Sequence, residues 1–328
     1  MGGPLGDFAN LQLALRDDRV TDGMTILVEY GTYEYSEAPI VIYKSLGICG
    51  ASRTGTILRR SDYGSAVVIM AHDVSLANLT VSQGPSVRSL LYLEYEPTIQ
   101  VGGLTRFDNF RMADVEVGFS IVGITLKAND FVLVRISLVQ TEDRNRGFGV
   151  VMYGTRGNCR IESVHYEGAE LTPFSMFTLE MDVVGEDDNE GSLTIANSTT
   201  SGQAIVFFHQ VNFYGSVGSY TLAFHHNTIE DADYFVKLTV TGSVGTGDVF
   251  DRIEAVGNCY DNYEGNGLIT IEAEEFFRST SLPLIARDNV IPLNAFRPQY
   301  PEAEGSSGSI CRFFNSHSLI PITIELVE

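Results

Sequence analysis

Two adjacent histidines, His225 and His226, stand just ahead of three carboxylates, Glu230, Asp231 and Asp233. Imidazoles change charge near neutral pH, and carboxylates beside them complete the groups a general acid–base pair, a glycosidase or a metal centre would use. Neighbours on a strand alternate faces, so the two histidines cannot both point outward. One must sit at a corner, and the catalytic set this reading favours is His226, Asp231 and Asp233, with Glu230 orienting them. His72 and His209 occupy similar polar positions between apolar runs. Against chemistry, His, Asn and Asp are ordinary corner residues, and two histidines lack the third ligand a zinc site needs.

Two other constellations carry charge. Glu186, Asp187, Asp188 and Glu190 flank Asn189 in a Gly-bounded run. Packed oxygens of this kind can hold calcium, although the spacing is not that of an EF-hand and a solvated acidic loop has the same composition. Asp143, Arg144 and Arg146 could contact an acidic sugar or could pair among themselves.

The elements that must position these residues announce themselves through asparagine. It recurs between short apolar runs, at Asn78, Asn109, Asn158, Asn197, Asn227, Asn258 and Asn289, and the last intervals are 30, 31 and 31 residues. A period in the range of about 20–50 residues marks stacked repeats. The intervening units are short and rich in Val, Ile, Phe and Tyr, which favours strands. Ala66–Met70 leads through Ala71-His72-Asp73 into Val74–Leu76; Ala204–Phe208 leads through His209-Gln210 into Val211–Phe213. Each couple reads as strand, polar corner, strand. An Asn at such a corner can bond its own turn and the Asn of the next rung. Cys159 and Cys259 both follow Gly-Asn, so they are expected in equivalent places in different rungs, too far apart to be joined. All four cysteines read as reduced and mostly buried.

Residues 7–16 carry apolar side chains at helical spacing, with Asp7 as the expected cap. Strands follow at Thr25-Ile26-Leu27-Val28-Glu29-Tyr30, closed by Gly31-Thr32-Tyr33, then at Ile40-Val41-Ile42, Leu46-Gly47-Ile48-Cys49-Gly50 and Thr56-Ile57-Leu58. This opening, with Gly31-Thr32-Tyr33 and Ser45-Leu46-Gly47-Ile48-Cys49-Gly50, resembles the start of pectin-lyase-like right-handed parallel β-helices. That superfamily includes pectate lyases, polygalacturonases, pectin methylesterases and phage tailspikes. The resemblance implies an all-β, right-handed parallel β-helix with an N-terminal capping helix. It also implies activities whose signatures can be sought. The paired aspartates of polygalacturonases find only Asp187-Asp188 after the N-terminal region. The methylesterase Gln-Asp pair finds only Gln140-Thr141-Glu142-Asp143, and the pectate lyase Trp-containing run is absent, since the chain has no Trp.

The chain has 328 residues and a net charge of −21, with 42 acidic against 21 basic side chains. Such a surface repels phosphate backbones, which argues against nucleic acid, and it repels polyanionic sugars unless a cation bridges them. No apolar run approaches the ~20 residues of a membrane helix. Met1–Asp7 has neither a basic region nor an apolar core, so it does not read as a signal peptide, and intracellular synthesis with packaging in a particle is expected. A single coil is predicted over 1–328, with a cap at 1–22, coils over 23–291 and a closing segment at 292–328. Three functions stay open: a non-catalytic structural or polysaccharide-binding β-helix, associated with a virion or surface; a polysaccharide lyase or glycoside hydrolase with an unfamiliar site; and an assembly module, monomeric or trimeric along its axis.

Overall fold

The computed structural model describes residues 7–62, 64–84, 96–103, 105–141, 147–153, 156–167, 175–183, 191–201, 205–213, 220–230, 234–241, 252–260, 269–273, 282–290, 311–314 and 322–325. Among them every strand pairing is parallel, and pairs link segments one turn of chain apart, as in Thr25–Val28 with Gly47–Gly50 or Tyr220–His225 with Arg252–Val256. The pairings form an 18-stranded sheet, a ten-stranded sheet and a two-stranded one that joins Phe107–Asp108 to Ala128–Asn129, so the chain coils as a parallel β-helix. The right hand is the one parallel crossovers adopt.

The larger sheet is folded lengthwise into two faces. Face one starts at Thr25–Val28 and runs through Gly47–Gly50, Val132–Val134, Gly157–Glu162, Gly191–Ala196, Tyr220–His225 and Arg252–Val256 to Leu282–Arg287. Face two starts at Gly31–Tyr35 and continues through Thr56–Arg60 to Thr228–Glu230 and Cys259–Tyr260. Face three is the ten-stranded sheet, from Ile40–Ile42 to Cys311–Phe314. Cys311–Phe314 and Ile322–Glu325 add to faces three and one in register.

Alternation along each strand sends apolar side chains inward, as in the buried Leu222 and Phe224 or Ile253 and Ala255. The interior is filled by aromatic contacts between turns: Phe207 meets Phe224 at 5.0 Å, Phe224 meets Phe235 at 5.6 Å, and Phe235 meets Tyr260 at 5.8 Å. The helix is Leu11–Arg16, shorter than expected, and its cap is Asn10, not Asp7: Asn10 Oδ1 accepts from Leu13 N at 2.8 Å. Leu11, Ala14 and Leu15 bury against the Ile40–Ile42 end of the coil.

The corner between faces one and two is the most regular part. From Asn78 onward it consists of one residue in the left-handed region followed by one that turns inward. The left-handed residues are Asn78, Asp114, Arg135, Ser163, Asn197, His226, Gly257 and Asp288. The inward slot holds Leu79, Val115, Ile136 and Val164, then Ser198, then Asn227, Asn258 and Asn289.

The recurring asparagines are therefore not one set. Asn78 and Asn197 hold the left-handed place, one residue earlier than Asn227; Asn109 turns a different corner, and Asn158 lies in a strand. The two Gly-Asn-Cys runs are not equivalent either. Gly157 opens its face-one strand and sends Cys159 into the core, whereas Gly257 follows face one and leaves Cys259 exposed on face two. A left-handed residue two places earlier serves both corners, so the tripeptide does not report which corner it makes.

In the last three turns the inward slot is a ladder of amides. Asn227 and Asn258 are 1% and 0% exposed. Asn258 Oδ1 accepts from Asn227 N and Nδ2, both at 3.0 Å, while Asn258 Nδ2 donates to Phe224 O and Asn289 Oδ1, both at 2.9 Å. Asn289 Oδ1 accepts from Asn258 N at 3.0 Å, and Ser198 N donates to Asn227 Oδ1 at 3.0 Å. The expected inward stacking of these three asparagines is what the structure has.

Candidate functional site

The outward side of face one carries two parallel columns of side chains. Strand register aligns Thr25, Gly47, Ser75, Arg111 and Val132 with Arg160, Thr194, Ala223, Glu254 and Ile285. Two residues on, Leu27, Cys49, Ala77, Ala113 and Val134 align with Glu162, Ala196, His225, Val256 and Arg287. Nine steps of about 4.8 Å make each column about 43 Å long.

Near the far end the columns are cross-linked. His225 Nε2 lies 3.3 Å from Glu254 Oε2, and Arg252 contacts Glu254 Oε1 at 3.0 Å. The His225 and Glu254 side chains are 33% and 20% exposed, so the contact is partly shielded. Alternation places all three on the outer face: His225 ends Tyr220–His225, and Arg252 and Glu254 are alternate residues of the next strand. A carboxylate on Nε2 fixes the imidazole's tautomer and leaves Nδ1 to accept a proton, while the arginine holds the carboxylate in place. Two turns earlier Arg160 pairs with Glu162, and Asn197 Nδ2 reaches Glu162 Oε1 at 3.4 Å.

Of the predicted catalytic residues, His226 and Glu230 fall among the described ones. His226 is the corner residue, exposed and in the left-handed region. Its imidazole lies over Gly257, where an added Cβ would come within 2.4 Å of His226 Nδ1. Glu230 is exposed at the end of Thr228–Glu230, round the corner on face two. Among the described residues no hydrogen bond or ion pair joins it to His226. Asp231 and Asp233 lie outside the described residues, as do Glu186, Asp187, Asp188, Glu190, Asp143, Arg144 and Arg146. The described residues hold no group of three or more potential metal ligands.

His209 is not at a corner: Ile205–Phe213 is one unbroken strand of face three. His72 is at a corner, with Nδ1 accepting from Asp108 N at 3.1 Å and lying 3.0 Å from Asp108 Oδ2. Its ring meets Phe107 edge-on at 5.2 Å. Gln140 is buried, where it donates to Ser120 O at 3.1 Å and accepts from Tyr166 Oη at 2.9 Å. It belongs to the core side of the sheet, not to an outer cleft.

Glu254 and Arg252, the residues that engage His225, were not singled out in the sequence. The available signal was the alternation Arg252-x-Glu254, but linking it to His225 needs a register of 29 residues between turns. Among the described residues, the carboxyls held below their usual range lie elsewhere, each beside an arginine: Asp17 is lowered to about 2 by hydrogen bonds from Arg19, Asp62 is lowered by Arg60, and Asp114 by Arg135, whose Nε and Nη2 both donate at 2.6 Å. Ion pairs that brace a surface shift pKa values in this way.

No family model matches the sequence, and no curated protein does. Among solved structures the chain is similar to a pectin methylesterase from Yersinia enterocolitica, at 8% identity and a TM-score of 0.37, over 94% of this chain and 95% of that one. No described helix is long and apolar enough to cross a membrane.

Proposed function

We propose that the protein is a non-catalytic β-helix that binds an extended polysaccharide along the outer side of face one. The observation that carries this reading is the pair of columns from Thr25 and Leu27 to Ile285 and Arg287. They offer a straight strip about 43 Å long, with hydroxyls, arginines and carboxylates at successive turns and a flat run of small apolar residues, Cys49, Ala77 and Ala113, beside them. An extended polymer meets such a strip with many weak polar contacts. The net charge of −21 favours an uncharged polymer over pectate or alginate.

Affinity electrophoresis through neutral glucan, mannan, pectate and alginate tests it. Retardation in a neutral polymer, reduced at least threefold by combined Arg160→Ala and Arg252→Ala, is expected, with no product released. Equal retardation of that variant would move the surface off face one. The lyase or hydrolase alternative draws on the His225–Glu254 contact. Release of unsaturated or reducing ends, abolished by His225→Ala, would establish it instead.

A further inference from the structure

We propose that a dip at the N-terminal end of face one, floored by Gly47, seats a single uncharged sugar unit. This rests on the polysaccharide-binding reading above and gives it a position and a ligand class. The dip is shallow and open to solvent, has a volume of about 350 Å³ and is lined by residues that include Met24, Thr25, Ser45, Gly47, Asp73 and Ser75.

Its shape follows from register. Thr25, Gly47 and Ser75 are neighbours in one outward column. A Cβ on Gly47 would stand 3.0 Å from Ser75 Oγ and 3.1 Å from Thr25 Oγ1. The glycine therefore leaves a gap between two hydroxyls on the turns either side of its own, each able to donate and accept. Asp73 adds a carboxylate whose Oδ1 is already held by Asn109 Nδ2 at 2.9 Å, so the group is fixed yet keeps acceptor capacity. The rim is also braced. Ser45 N donates to Asp22 Oδ1 at 2.8 Å, and Ser45 O accepts from Gly23 N at 2.6 Å. Groups set before the ligand arrives cost less to order on binding.

The chemistry selects a polyol. Hydroxyls of a sugar can donate to Asp73 and exchange hydrogen bonds with Thr25, Ser45 and Ser75. Met24, 46% exposed, offers a thioether to the C–H face of the ring. A uronate would meet Asp73 and Asp22 with like charge, and no basic side chain lines the dip.

Titration calorimetry with neutral gluco- and manno-hexaoses, and with trigalacturonate, tests the assignment. Wild type should bind a neutral hexaose and bind trigalacturonate at least tenfold more weakly. Gly47→Val, outward on a strand where a β-branched residue is at home, should lower hexaose affinity at least tenfold. Asp73→Asn tolerates the same left-handed backbone and should lower it at least threefold; with Ser75→Ala it carries the test should Gly47→Val lower the melting temperature. Unchanged affinity in Gly47→Val and in Asp73→Asn would overturn the proposal, as would preference for trigalacturonate. Should wild type be retarded in a neutral polymer but bind no hexaose, the dip fails and the strip reading stands. Should it neither bind hexaoses nor be retarded, both fail.

Discussion

Replacing Asn258 by alanine is the sharpest test of the amide ladder. The side chain is 0% exposed and makes four hydrogen bonds, two accepted from Asn227 and one donated to each of Phe224 O and Asn289 Oδ1. Truncation leaves the main-chain N–H of Asn227 without its acceptor and removes one bond each from Phe224 O, Asn227 Nδ2 and Asn289 Oδ1, while Asn227 Nδ2 keeps Ile195 O and Asn289 Oδ1 keeps Asn258 N. A buried unsatisfied group costs about 1–3 kcal/mol and each lost bond about 0.5–1.5 kcal/mol, part of which water entering the gap recovers, so the net loss is about 2–4 kcal/mol. Asn158→Ala, on the exposed side of a strand, should stay within about 0.5 kcal/mol. Urea denaturation compares the two through midpoint and slope. A stack of turns need not unfold in one step, so amide exchange at Asn227 should be read alongside. Asn258→Asp puts an oxygen where Nδ2 was, facing two acceptors at 2.9 Å. Its carboxyl would be held protonated, raising its folded pKa, so the damage is smallest in acid and grows as pH climbs above the unfolded value of about 3.9. The reasoning is refuted if Asn258→Ala costs no more than Asn158→Ala.

Gly257→Ala should cost about 1–3 kcal/mol, from the left-handed backbone and from the His226 ring in its way, and part should return in a His226→Ala background; equal cost in both backgrounds would show that the ring does not matter. Asp114 has a folded pKa below its unfolded one because Arg135 bonds it, so that pair's contribution is present above about pH 3.9 and disappears as pH falls through the lowered value. Melting temperatures of wild type and Arg135→Ala should accordingly converge between pH 5 and 2, and a constant gap would count against the pair. No unsaturated or reducing ends should appear from pectate, pectin or alginate, with or without calcium. Activity that survived loss of His226 and Asp231 together would exclude both the non-catalytic reading and that choice of site.

The fold was legible because its rule is local and repeated. Short apolar strands, polar turns and a period near 31 residues report a stack without knowledge of which face each strand joins. Register was harder. Asn197 looked like the partner of Asn227 but sits one residue early, where a strand's alternation changes the meaning of a position entirely. The Gly-Asn-Cys runs misled for a related reason, since the left-handed bend that glycine serves occurs at two corners. The surface network was illegible because its members are remote in sequence. His225 was visible as a histidine, but what engages it arrives from the next turn, and rung lengths vary too much to place Glu254 by counting alone. The dip at Gly47 had no sequence signal, since it is a missing side chain between two common ones.

The left-handed corner residues stand at 78, 114, 135, 163, 197, 226, 257 and 288, so successive turns differ widely in length while this edge keeps two residues throughout. From Asn78 onward the variation falls outside this edge, whereas ahead of it the connection lengthens from residues 28–31 to residues 50–56. The edge acts as a spine, and the remaining corners are where the chain tolerates additions. A peptide grafted into a face-two-to-three connection would leave the two-residue step of this edge intact. The same peptide placed between His226 and Asn227 would separate the left-handed residue from the amide that must follow it. It would also interrupt the ladder that joins Ser198 to Asn289. For engineering, the coil is a rod with one closed edge and two open ones, and cargo displayed from the open edges would be spaced by whole turns along its axis.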